Sequence, residues 1–512
     1  MKTFKTFIPV KATALCAVAL LLITSSCKKD NDNINQGEQI VVAPNVNVYA
    51  LQQDNKILAF NAQSGTIFNQ ATSITGMQTG ENMLAIDYRP ATGQLYGVSS
   101  GSRIYVINPL TAVARAIGSA PFTPAIDGTV IGIDFNPTVD RIRLVTSNGQ
   151  NLRLNPETGT VAFTDAAING ASGAKISSVA YTENKAGAAT TILYDIDAVT
   201  KKLYKQDPPN DGRLVEVGAL GVDATEVTDF DISPDGKAAL VPITVGGKQG
   251  MYVLDLTNGK AYKSLEFPVK VLSLAIQTDP VAYALSSDNE LMIFNPANIA
   301  PIAKAITGLQ TGETILGIDF RPLNGQIYAL GSTSRIYTLN ASSGLATSVG
   351  TLTTALSGVS FGFDFNPVAD RIRIVSNTGQ NLRVNPADGA TTVDGSITPT
   401  ANLALSATAY TNSFAGATAT TMFAINASTG RLYSLTDPNS GVLANDIGSL
   451  GVTIDAANGF DISSRTGDAY AILTVGGTTR FYGINLTTGA AQASTGATFT
   501  KGVRGFTLGL GF

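Results

Sequence analysis

Three aspartates in the first half of this sequence, Asp87, Asp134 and Asp231, return in the second half as Asp319, Asp364 and Asp461. Glu81 returns as Glu313, each inside a Gln-Thr-Gly-Glu block just ahead of a short apolar strand. Carboxylates gathered round one pocket can do the work of a glycosidase, as an acid and a nucleophile about 5 Å apart or as a wider inverting pair. Few other chemistries are open to this chain. It contains no His, which excludes a Ser–His–Asp triad, a Cys–His pair and any His-ligated metal. Its two cysteines, Cys16 and Cys27, both lie near the N-terminus, so the body of the chain has no disulfide, thiol nucleophile or thiolate site.

The elements that must position these acids repeat. The stretch GIDFNPTVDRIRLVTSNGQNLRLNPETG (Gly132–Gly159) returns as GFDFNPVADRIRIVSNTGQNLRVNPADG (Gly362–Gly389). From residue 45 onward, short strands of alternating apolar residues end in Asn or Asp, often with Gly four residues later. Asn closes an Asx-type turn and Gly accepts positive φ, so each pair marks a hairpin loop. These turn residues are Asn61, Asn108, Asn155, Asp197 and Asp255, then Asn295, Asn340, Asn385, Asn426 and Asn485. Their gaps of 47, 47, 42 and 58 recur as 45, 45, 41 and 59. A strand-built unit of about 45 residues is the spacing of a propeller blade. The fold expected is therefore all-β, a β-propeller of two tandem five-bladed rings of four-stranded blades, with one ten-bladed ring as the alternative. Each copy opens on three strands and ends in a spare one (Lys270–Gln277 and Val503–Leu510), which would complete the first blade and remove an open edge.

Innermost strands line a propeller's channel, which makes Asp87, Asp134, Asp231, Asp319, Asp364, Asp461, Glu81 and Glu313 the candidate channel carboxylates. A structural role competes with catalysis. All the aspartates except Asp461 stand just ahead of an Arg-Pro, Asn-Pro or Ser-Pro turn, with one residue between, and the turn amides could bind them. Arg141, Arg143 and Arg153, with Arg371, Arg373 and Arg383, are near enough to pair with them between blades. Repetition across blades favours structure, and the absence of Trp weakens a carbohydrate enzyme. No catalytic residue is assigned. Tyr96, Tyr105, Tyr328 and Tyr337 read as packing between blades. No ligand spacing identifies a metal, and no cofactor is expected. Thr244-Val-Gly-Gly and Thr474-Val-Gly-Gly are explained as hairpin turns; no helix follows them, as a phosphate loop would require.

Lys2 and Lys5 precede an apolar run from Ala12 to Ile23 that ends at Cys27. A dozen helical residues span about 18 Å, too little for a bilayer core of about 30 Å, so the run reads as a signal peptide. ITSSC resembles a bacterial lipoprotein signal, with Thr24 where an aliphatic residue is commoner, and SSCKKD is similar to lipoprotein starts of the Bacteroidetes. That resemblance implies lipid attachment at Cys27, a membrane partner through the anchor, and an outer-membrane location on the periplasmic or cell-surface face. The divisions expected are residues 1–26 signal peptide, 27–44 lipidated Cys and polar tether, 45–280 first ring and 281–512 second ring. The formal charge is −4, and loss of Lys2, Lys5 and Lys11 with the leader makes it more negative. An acidic surface repels phosphate backbones, so nucleic acid is not an expected partner.

LAIDYRPATGQLYGV (Leu84–Val98), LGIDFRPLNGQIYAL (Leu316–Leu330) and the FDFNP…DRIR…GQNLR…NP blocks resemble a bacterial family catalogued as a domain of unknown function, in tandem duplicate. The resemblance implies an extracytoplasmic setting and no activity, substrate or catalytic residue. The function expected is a non-enzymatic binding or scaffold module for a glycan, peptide or protein. The alternative is a carboxylate-dependent, glycosidase-like hydrolase in the channel.

Overall fold

The computed structural model describes residues 40–512 apart from Thr129, Thr400 and Ala497. The signal peptide, Cys27 and the expected tether as far as residue 39 lie outside the described residues, and the rest of that 27–44 tether is corrected: Val41 donates its amide to the Lys263 carbonyl at 2.8 Å, and Ala43 is buried in the core of the first ring. Ten antiparallel sheets form two tandem rings of five blades. In the first ring Val271–Ile276 pairs with Asn47–Gln52, so the last strand of the copy completes its first blade. In the second, Val503–Leu508 pairs with Ala282–Ser286 in the same way. Each ring thus closes within its own copy, and the single ten-bladed ring is ruled out.

The expected turn chemistry is present. Asn108 Oδ1 accepts the amides of Leu110 and Thr111 at 2.9 and 3.1 Å, and Gly159 holds φ +71° at the equivalent turn of the next blade. Both Gly-Gly pairs sit at positive φ in two-residue hairpins, Gly246–Gly247 and Gly476–Gly477. That is the type I′ geometry that matches strand twist.

Blades bury both faces against their neighbours, so the core lies between sheets. Ile133, Phe135, Ile142 and Leu144 of the third blade interdigitate with Tyr96, Val98 and Ile104 of the second. Each such side chain, fully buried, contributes about 1.5–3 kcal/mol. Near the axis the innermost strands approach so closely that a Cβ on Gly132 would stand 2.6 Å from the Val179 nitrogen.

The rings also touch each other. Arg89, at the end of Met83–Arg89, is wholly buried with every N–H used. Nε and Nη2 donate to the two oxygens of Asp140 at 2.8 and 2.5 Å, and Nη2 donates again to Glu157 at 2.9 Å. Nη1 donates to the Tyr96 hydroxyl at 3.2 Å and to the Gly325 carbonyl of the second ring at 2.9 Å. Tyr283 of the second ring donates its hydroxyl proton to the Ala91 carbonyl at 2.8 Å. The equivalent Arg321 keeps its fork on Asp370, but Ala387 replaces Glu157 and the pair stays partly exposed, at 17% and 31%.

These environments predict unequal costs for one substitution. Arg89→Ala leaves two buried carboxylates unpaired and is expected to destabilise by about 3–5 kcal/mol. Arg321→Ala, losing a pair that water still reaches, should cost roughly 1 kcal/mol. Denaturation midpoints of the two variants against wild type check this; equal losses would contradict it.

Candidate functional site

The innermost strands place one residue each in a layer round the axis. Strand register gives Asp87, Asp134, Ala180, Asp231 and Ala275 in the first ring. The second ring has Asp319, Asp364, Ala409, Asp461 and Thr507. Each ring brings its three aspartates together, with one oxygen from each within 4.8 Å of the others. They are only 1–4% exposed.

Their partners are neither turn amides nor arginines. Each aspartate accepts the amide that follows the layer residue of the next blade: Phe135 N–H to Asp87 Oδ2 at 2.8 Å, and Ile276 N–H to Asp231 Oδ2 at 2.5 Å. In the second ring Phe365 donates to Asp319 at 2.8 Å, Tyr410 to Asp364 at 3.1 Å and Leu508 to Asp461 at 2.6 Å. The expected Asp–Arg pairing is corrected in a particular way. Arg143 lies directly across the sheet from Asp134 but extends away from the axis to Asp165 (2.6 Å), Asn151 and Asn210. Arg373 repeats this with Asp394, Asn381 and Asn439. Arg153 and Arg383 join the same acids, Asp165 and Asp394. Arg141 and Arg371 turn back onto the carbonyls of Asp140 and Asp370.

Glu81 and Glu313 do not reach the layer. Glu81 accepts from Ser99 Oγ (2.7 Å) and Tyr105 OH (2.8 Å) and faces Arg103 at 3.2 Å. Glu313 is held likewise by Thr333, Tyr337 and Arg335. Both acids therefore pin the hairpin of their own blade. Tyr96 and Tyr328 pack edge-on against Phe135 and Phe365 of the following blade.

Three carboxylates so close and so dry cannot all ionise. Burial first, then repulsion from Asp87 and Asp231, pushes Asp134 well above the usual carboxylate range. Asp364 is raised by burial and then by Asp319 and Asp461. Burial raises Asp231 to about 7 and Asp461 to about 6, against the pull of the amides bound to them. Among the described residues, Asp134 Oδ1 and Asp364 Oδ2 have no hydrogen-bond partner. As a cation site the layer is poor. Calcium takes six to eight oxygens, whereas each layer offers three carboxylates that already accept amides, beside Ala180 and Ala275 or Ala409 and Thr507. Thr507 spends its hydroxyl between Asp319 Oδ1 (2.9 Å) and Asp461 Oδ2 (3.1 Å).

Above the layer the rings differ. In the second ring a funnel of about 330 Å³ opens between Leu316, Ser360, Asn377, Asp455, Ala456 and Arg504. It narrows to a throat of about 10 Å³ walled by Phe363, Phe460 and Phe506, room for about one water. The aspartates lie one residue further along the strands and are shut off from the funnel. The first ring carries TEVTDFDIS (Thr225–Ser233) where the second has DAANGFDIS, and KVLSLAI (Lys270–Ile276) where the second has GVRGFTL. Its Lys270 and Glu226 form an ion pair at 2.7 Å, and Gln249 donates to the Val271 carbonyl at 2.9 Å. Asp229, at the place of Gly459, is buried and bonded to Ser273 and the Leu274 amide. Large and paired residues thus stand in the first ring where the second has Ala456, Gly459 and Gly502. Reading the acids alone misses Arg504 and Asp229; aligning the two copies and looking for unlike residues in like places finds both.

The profile of a family described as a domain of unknown function (DUF4394) matches residues 56–275 and 290–507, most of both rings. The chain belongs to this family. No match is found among curated proteins. Among solved structures, a protein of unknown function from Bacteroides caccae is 12% identical at TM-score 0.32, covering 46% of this chain and 99% of its own. The extracellular domain of a putative one-component system from B. thetaiotaomicron is 12% identical at TM-score 0.25, covering 91% and 61%. PorZ, described as a surface component of the type-IX secretion system of Porphyromonas gingivalis, is 12% identical at TM-score 0.27, covering 90% and 60%. This chain therefore spans about three fifths of the length of the last two.

The layer predicts a pH dependence with a definite sign. A carboxyl whose folded value is raised stabilises most when protonated in both states. That stability is lost as pH climbs from about 4, the unfolded value, to the folded value, about 7 for Asp231 and about 6 for Asp461. Asp364→Asn mimics the protonated acid: its carbonyl keeps the Tyr410 amide and its NH₂ can donate to a neighbouring carboxylate. The variant should gain roughly 1–3 kcal/mol over wild type at pH 8 and almost nothing at pH 4. Urea denaturation at pH 4, 6 and 8 measures the difference; a gain independent of pH would show that titration is not its source.

Proposed function

We propose that this protein is a lipid-anchored, extracytoplasmic binding module, with the funnel of the second ring as its ligand seat and the first ring as its scaffold. The observation that carries the reading is the contrast between the two copies. One fold, repeated, has kept large and paired residues at one axial mouth and small ones at the other. A mixed apolar and polar cleft of about 330 Å³ falls within the size of small-ligand sites. The Cys27 signal resemblance and the family's extracytoplasmic setting support the location. The hydrolase reading loses support from the same geometry, because the axial acids are buried, bonded to neighbouring blades and separated from the funnel by a phenylalanine throat.

Ala456→Trp fills the funnel without touching the aspartate layer. Saturation-transfer NMR against a set of sugars, sugar acids and short peptides should give contacts that disappear in this variant. Contacts that survive the substitution would remove the funnel from consideration. Turnover of chromogenic glycosides that Asp364→Asn abolishes would restore the hydrolase.

A further inference from the structure

Arg504 is the residue of the second funnel that its duplicate does not share. It stands where the first copy has Leu272, and its side chain makes no hydrogen bond or ion pair among the described residues. Its Nη1 is nevertheless buried without an acceptor. A guanidinium offers a planar fork of donors matched to a carboxylate, and leaving even one of them dry and unmatched is costly. The funnel wall carries the complementary set. Asp455 spends one oxygen on the Gly477 amide at 2.8 Å, and its other oxygen has no partner among the described residues. Asn377 spends its carbonyl on the amides of Val359 and Ser360, at 2.9 and 3.2 Å, leaving its NH₂ as a donor. Asn458 spends its NH₂ on Thr474 at 2.8 Å, leaving its carbonyl as an acceptor.

We infer that the second ring binds a small hydroxylated carboxylic acid of the hexuronate type, its carboxylate on Arg504 and its hydroxyls on Asp455, Asn377 and Asn458. The inference rests on the funnel being the ligand seat. The hydroxyls of a neutral sugar can accept from the guanidinium but leave its charge uncompensated, and such bonds are about half as strong as those to a carboxylate. A phosphate dianion would set two charges near Asp455, where a carboxylate sets one. The funnel's volume holds a single sugar ring with some water but no extended chain at its floor.

Calorimetric titration of the intact protein with glucuronate and galacturonate, beside glucose and galactose, tests this. The acids should bind about ten- to a hundredfold more tightly than the neutral sugars, and more weakly as salt rises. Arg504→Leu installs the residue that the first ring already accommodates at this place. It should bring the acids down to the level of the neutral sugars while the melting temperature stays near wild type. Failure of both acids to bind, or acid affinity unchanged by Arg504→Leu, overturns the inference. Acid and neutral sugars binding alike, with both lost in Ala456→Trp, would also overturn it but leave the funnel as a ligand seat. Binding that Ala456→Trp does not touch would sink both readings.

Discussion

The innermost strand of a propeller blade is a sheet edge, and an edge strand presents amides that its own sheet does not use. Five such edges meet round each axis here, too close for bulk water to serve them. The aspartates answer that need by accepting an amide from the next blade's innermost strand, so the same side chains that face the axis tie blade to blade. Their burial follows, and so does their protonation: a group placed to satisfy backbone donors in a dry core cannot also keep three charges within 4.8 Å. Carboxyls engaged in this way act as joints between blades.

With the seam supplied by three positions out of five, the level above it is free to vary, and the two copies have used that freedom differently. Asp229 and the Lys270–Glu226 pair stand in one axial mouth. Gly459 and Ala456 stand in the other, where the Arg504 side chain has no partner among the described residues. The layer beneath is nearly the same in both. Duplication has thus kept the aspartate layer constant while the residues above it diverged.

Much of this is legible in the sequence because strand period and turn chemistry are local. The Asn and Gly turns mark ten blades, and the spare strand at the end of each copy foretells closure. Alternation also brings the six aspartates to the axis. It does not name their partners, because an amide from another blade has no signature in spacing; Arg143 lies opposite Asp134 in register yet reaches the other way. Glu81 and Glu313 come just before an innermost strand in sequence, but Tyr105 and Tyr337, a strand and a hairpin later, draw them off the axis. Arg504 carries no motif at all and emerges only as an unlike residue in a like place.

The joint between the rings has a further consequence. Gly325 of the second ring seats on Arg89 of the first, and the loop at Ala91 meets Tyr283, so the two copies touch through different surfaces. A head-to-tail contact of this kind has no two-fold axis; repeated faithfully, it would add ring after ring, closing only where the rotation between copies allows it. Ala387 interrupts the repetition. Without a counterpart of Glu157, Arg321 keeps a partly exposed fork on Asp370, and the second ring does not present again the dry socket by which it is itself held.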